Sequence, residues 1–190
     1  MIPDAPADAA LDPLRLGAII ARLMPDDAIF SDDSITAGMG LHQSLKHGPT
    51  HDWLVLCGGA IGDAAPMGVG AALACPSRKV VAVTGDGSAM YSLQSLWTMA
   101  RERLDVVTVI CANRTYNILH IELARMGAQN PGPKTLSMVD LGDPVLDFVK
   151  MAEGHGVEAS RAKTTTEFAD QFADAMERRG PRLIEAVFNV

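Results

Sequence analysis

A chain of 190 residues with 48% apolar content suits one domain with a substantial core, and 21% charged residues exclude wholesale disorder. A net charge of −7 excludes a general nucleic-acid binder, which would need a basic face. No membrane partner is expected either: no apolar run approaches the roughly 20 residues of a span, and residues 1–10 lack the basic and apolar regions of a signal peptide.

Residues 1–11, rich in Pro, Ala and Asp, read as a linker-like segment, with residues 12–190 as one domain. Asp12-Pro13 opens a helix, Asp as cap and Pro in the first turn, and Leu16, Ile19, Ile20 and Leu23 continue it at helical spacing. A short strand is predicted over residues 28–31, followed by the polar Asp32-Asp33-Ser34, a helix over 36–45 and a strand over 53–56. Residues 58–62 form a glycine-rich turn and 66–74 a small-residue helix. Residues 79–84 and 106–112 are Val-rich without alternation, the pattern of strands buried on both faces. Helices are predicted over 88–103, 116–125, 144–153 and 166–178, strands over 157–159 and 182–188, and a Pro/Gly loop over 129–134.

Strands alternating with helices imply an α/β fold, a mainly parallel central sheet with helices on both faces. Ligands in such sheets sit at the carboxyl ends of the strands. Two of those ends are unusual. Gly85-Asp86-Gly87-Ser88 follows the first Val-rich strand, with glycines for close backbone approach, a carboxylate, and helix-start amides suited to phosphate. Asn113-Arg114-Thr115-Tyr116 follows the second, where Asn113 offers an amide oxygen. Asp86 and Asn113 are 27 residues apart, about one βαβ unit, so adjacent parallel strands would bring the two oxygens together. A few protein oxygens with phosphate and water is how Mg²⁺ is usually held. A GDG turn or a strand-end Asn by itself is more often purely structural; the pair is what carries specificity.

These two motifs resemble the thiamine diphosphate motif, and the chain from about Asp12 to Val190 resembles the acetolactate synthase and benzoylformate decarboxylase family. The stretch from Met90 to Thr98 and the closing Gly180-Pro181-Arg182-Leu183-Ile184-Glu185-Ala186 match as well, closest to acetolactate synthase large subunit-like proteins. The resemblance implies a three-layer thiamine diphosphate-binding fold. It implies that Asp86, the Asn113 side chain and the Thr115 carbonyl bind Mg²⁺. It places Gly87, Ser88 and Thr36 at the diphosphate, with Gly85 and Tyr116 of the same two motifs at the cofactor. The Gly59 carbonyl would accept a hydrogen bond from the 4′-amino group, and Ile61 would be the apolar wedge that bends the cofactor. Plainer readings stay open: Ile61 as core, Thr36 as a helix cap. Ala112, Arg114, Asp63 and Asn117 depart from the family pattern without removing a metal ligand.

The same resemblance implies a 2-oxo acid substrate, a homo-oligomer with the cofactor between chains, and a glutamate from a separate pyrimidine-binding domain. That domain does not fit in these residues. Glu102, Glu122, Glu153, Glu158, Glu167, Glu177 and Glu185 all fall within elements of this one, mostly as solvated faces. The chain is therefore expected to be the diphosphate- and Mg²⁺-binding part of a larger decarboxylase or carboligase and inactive in isolation. The alternatives are one subunit of a split 2-oxo acid decarboxylase, or a non-catalytic, regulatory thiamine diphosphate-binding module. A nicotinamide-binding domain fails on glycine spacing.

No catalytic residue is assigned within the chain except His120, a weak candidate for proton transfer. His42, His47 and His51 read as surface residues. Residues 126–133 read as a flexible lid or pocket edge. Cys57, Cys75 and Cys111 are odd in number and match no zinc spacing. They read as reduced core cysteines of a cytoplasmic protein.

Overall fold

Val80–Gly85 and Val106–Ala112 are apolar at nearly every position, which strands tolerate only when both sheet faces are covered. In the computed structural model, which describes Ile2, residues 5–128 and residues 130–188, they are the neighbouring central strands β3 and β4 of a six-stranded sheet. The others are β1 (Ala28–Asp33), β2 (His51–Val55), β5 (Glu158–Ala162) and β6 (Arg182–Val187). The order is β2-β1-β3-β4-β6-β5 and every pair is parallel.

Side chains along each central strand alternate between two cores. Phe30, Val81, Val83, Val107, Val109 and Ile184 face α1 (Pro13–Leu23), α2 (Leu41–Leu45) and α9 (Thr165–Glu177). Ile29, Val80, Ala82, Val106, Ile110 and Leu183 face α3 (Ala64–Ala74), α5 (Ser95–Glu102) and α8 (Phe148–Gly154). Helix starts follow the chemistry of the sequence. The Asp12 side chain accepts the Arg15 amide at 2.9 Å, and Thr164 and Glu167 form a reciprocal capping box.

Several boundaries differ from those predicted. β1 runs on through Asp32 and Asp33, and Asp33 and Ser34 are buried rather than in a polar turn. The helix predicted over 36–45 is a 3-10 turn (Ala37–Gly40) followed by α2. The single helix predicted over 88–103 is α4 (Asp86–Ala89) and α5, separated by turns in which the Tyr91 and Ser92 amides bond back to Ser88 and Ala89. Residues 144–147 precede α8 instead of belonging to it. In the Pro/Gly loop, Gln129 lies outside the described residues, and residues 133–137 form the short α7 (Pro133–Ser137). Of the linker-like segment, Met1, Pro3 and Asp4 lie outside the described residues; the later part is docked. The Asp8 and Ala9 amides donate to Thr166 and Thr165 hydroxyls, and Leu11 is buried beside Phe188. Cys57 is exposed at the end of edge strand β2, Cys75 is half-buried, and only Cys111 is core. Among the described residues no helix is long and apolar enough to cross a membrane.

Candidate functional site

The crossover from β1 to β2 runs through α2 on one face, and that from β3 to β4 through α5 on the other, so the strand order is wound in opposite directions from β1 and from β3 although the two strands are parallel. Beyond the carboxyl ends at such a reversal an open α/β sheet leaves a crevice. Here it is a cavity of about 220 Å³. Thr36, Gly59, Ile61, Gly85, Asp86, Gly87, Ser88, Asn113, Thr115 and Tyr116 all line it. Every residue singled out from the sequence for cofactor or metal therefore opens onto one space. His120 does not line it.

β3 and β4 pair with Gly85 opposite Cys111, which sets Asp86 and Asn113 just past adjacent strand ends. Asp86 is only 4% exposed, and its oxygens accept the amides of Gly87 at 2.9 Å and Arg114 at 2.6 Å. Burial raises its carboxyl above the usual value, while the Arg114 and Gly87 amides pull the other way. The Asn113 amide oxygen accepts the Thr115 amide at 3.1 Å. Arg114 turns the chain with a left-handed φ of 59°. That loop is held by residues 139–141: the Tyr116 amide donates to the Val139 carbonyl, the Leu141 amide donates to the Arg114 carbonyl, and the Thr115 hydroxyl donates to the Val139 carbonyl at 3.0 Å. His120 Nε2 sits 3.1 Å from that hydroxyl.

Gly87 is required by its neighbour. A Cβ there would lie 2.4 Å from Cε1 of Tyr116, whose ring covers the turn. Burial raises the Tyr116 phenol, with Tyr91 and Asp86 adding to the effect, and burial pushes up the Cys111 thiol on the cavity wall.

The opposite wall comes from β1 and the glycine loop. Ile35, a β-branched residue, has a left-handed φ of 49° and lines the cavity beside Thr36. Such strain concentrates at functional sites. Gly58, Gly59 and Gly62 all have positive φ, and the Gly59 carbonyl accepts the Ile61 amide at 3.0 Å. Ile61 remains 39% exposed, so it is not plain core.

Sequence reading missed Ile35, Leu56 and Cys111 as lining residues, and the buried Asp33 that holds the Gly62 amide. A β-branched residue followed by Thr gave no warning of a left-handed turn. The two motifs bring to the cavity residues whose available ligands are oxygens, one carboxylate, one side-chain amide and backbone carbonyls, a donor set that fits a hard cation such as Mg²⁺. Among the described residues no three His, Cys, Asp or Glu side chains converge.

A doubly covered, all-parallel sheet with this cavity at its reversal point defines an α/β cofactor-binding domain. The chain belongs to the family described as "Thiamine pyrophosphate enzyme, C-terminal TPP binding domain", which matches residues 36–186. It is 51% identical over 170 residues to IlvX of Mycobacterium tuberculosis, a protein named provisionally as an acetolactate synthase large subunit, covering 89% of this chain and 33% of that one. Identity to the benzoylformate decarboxylase of Pseudomonas aeruginosa is 34% over 176 residues, 92% of this chain and 32% of the relative. The solved thiamine diphosphate-dependent 4-hydroxybenzoylformate decarboxylase of Rhodococcus jostii RHA1 superposes with a TM-score of 0.87 at 31% identity, over all of this chain and 35% of that one. The chain thus spans about a third of the length of these relatives.

Proposed function

We propose that this domain grips the diphosphate–Mg²⁺ end of thiamine diphosphate in a 2-oxo acid decarboxylase or carboligase. The convergence of ten sequence-chosen residues on one cavity carries the reading. Asp86 and Asn113 offer side-chain oxygens to the metal and Thr115 its carbonyl. Thr36, Gly87 and Ser88 hold the diphosphate, while Gly85 and Tyr116 shape the turn around it. Gly59 accepts an amino hydrogen from the pyrimidine end, and Ile61 presses an apolar surface against the cofactor. When bound, thiamine diphosphate supplies a carbon nucleophile that adds to the 2-oxo carbon and accepts the electrons released with CO₂.

No other proton-transfer group is assigned in this chain; the weak candidate His120 contacts the Thr115 hydroxyl at 3.1 Å and does not line the cavity. A pyrimidine-binding domain, in the same or another chain, supplies the activating glutamate, within a homo-oligomer. A reducing, cytoplasmic setting accords with the free thiols Cys57, Cys75 and Cys111.

Isothermal titration of the chain with thiamine diphosphate tests the reading. Binding that needs Mg²⁺ and vanishes with a chelator is expected. Equal binding with and without a divalent cation, or binding unaffected by Asp86→Ala, would contradict it.

A further inference from the structure

Asp33 is the last residue of β1 and is 0% exposed, yet it does not line the cavity. An apolar residue would be the cheaper occupant, because a buried carboxylate is costly unless its hydrogen bonds are made. Its Oδ1 has no hydrogen-bond partner, and burial raises its carboxyl, opposed by the Gly62 amide and the Ser88 hydroxyl. Its Oδ2 accepts the Gly62 amide at 2.5 Å and lies 3.5 Å from the Thr84 hydroxyl.

Gly62 closes the glycine loop. Its φ is 96°, and a Cβ would meet Tyr91 Cβ at 2.8 Å, so its backbone is fitted closely between neighbours. Its carbonyl is held from the other side by the Ser92 hydroxyl. By contrast, a Cβ at Gly58 or Gly59 would meet nothing within 4 Å. The loop therefore projects freely at one end and is fastened at Gly62, on both its amide and its carbonyl.

We propose that Asp33 is a positioning residue: its buried carboxylate pins the Gly62 amide and so fixes the loop that presents Gly59 and Ile61 to the pyrimidine end of the cofactor. This rests on the function proposed above, and it separates two tasks. The Asp86–Asn113 side holds the diphosphate and metal, while Asp33 governs what the thiamine part adds.

The test compares wild type, Asp33→Ala and Asp33→Asn as the full 190-residue chain, titrated in Mg²⁺ with inorganic diphosphate and with thiamine diphosphate. In Asp33→Ala the affinity for thiamine diphosphate should fall about tenfold, the loss of one charge-assisted hydrogen bond. Inorganic diphosphate should bind as to wild type. Asp33→Asn keeps an oxygen for the Gly62 amide and should restore most of the loss. Equal loss for both ligands, or no loss for either, overturns the proposal. Wild type binding neither ligand would instead sink the proposed function.

Amide exchange, which needs no ligand, then decides the positioning claim. Residues 57–62 should exchange about tenfold faster in Asp33→Ala with β3 and β4 unchanged. Unchanged exchange in that loop, or uniform loosening in both variants, overturns it.

Discussion

Oδ2 of Asp86 accepts the backbone N–H of Arg114 at 2.6 Å, so one carboxylate joins the turn after β3 to the turn after β4. The same side chain caps the Gly87 amide. Asp86→Ala should therefore do two things. It leaves buried donors unpaired, at about 1–3 kcal/mol each, and lowers Tm by roughly 2–4 °C per kcal/mol. It should also abolish the rise in Tm expected of wild type with Mg²⁺ and diphosphate. Thermal melts with and without the pair measure both; a retained ligand-induced rise would exclude Asp86 as a metal ligand.

Gly87→Ala places a methyl 2.4 Å from the Tyr116 ring, which must swing away. Overpacking of this kind costs about 1–3 kcal/mol. Diphosphate affinity should fall, and Gly87→Ala with Tyr116→Ala should recover stability relative to the single variant. Denaturant titration of both variants reads this, and additive losses would show that the ring does not constrain the turn.

Carboxyl groups shifted in opposite directions set the pH dependence. Asp33 and Asp86 are raised above 3.8 by burial. A raised acid favours the folded state when protonated, so its contribution is full below 3.8 and lost as pH rises through its folded value. Asp147 is lowered to about 2, chiefly by Lys150 and also by Arg161. Its contribution is present above 3.8 and lost as pH falls through about 2. On acidification the gap in Tm between wild type and Asp147→Ala should therefore shrink toward pH 2, whereas stabilisation by Mg²⁺ and diphosphate should fade earlier, while the pH is still above 3.8, as Asp86 takes up its proton. Melting curves across that range check both signs.

At the opposite end of the sheet, Lys79 Nζ donates to Asp105 at 2.7 Å and to the carbonyls of Ala175 and Arg178 at 3.1 and 2.6 Å. Both side chains of this ion pair are buried. Lys79→Ala leaves the buried Asp105 carboxylate only the more distant Arg179 at 3.7 Å and should cost about 3–5 kcal/mol, while Lys79→Met with Asp105→Leu should cost far less. Mg²⁺-dependent ligand binding should survive in the double variant. A single variant as stable as wild type would show the pair to be idle.

The central strands were legible because Val80 to Val83 and Val106 to Ile110 carry their own burial signal. Asp86 and Asn113 were legible because one βαβ unit separates them and neighbouring strands supply the rest. What escaped were groups whose partners lie far along the chain. Asp32-Asp33-Ser34 looks like a polar turn until Gly62, 29 residues on, takes the Asp33 carboxylate. In the sequence Glu185 is indistinguishable from the glutamates of solvated faces. It is buried, held by Arg161 at 2.9 Å from the neighbouring strand. The break between α4 and α5 was hidden likewise, since Ser92 turns its hydroxyl to the Gly62 carbonyl instead of continuing a helix.

A crystal structure of the chain grown with Mg²⁺ and thiamine diphosphate would locate both ligands. The metal should lie about 2.1 Å from an Asp86 oxygen, the Asn113 side-chain oxygen and the Thr115 carbonyl, with the diphosphate against Gly87, Ser88 and Thr36. Metal or diphosphate bound away from the cavity between β1, β3 and β4 would contradict the proposed function.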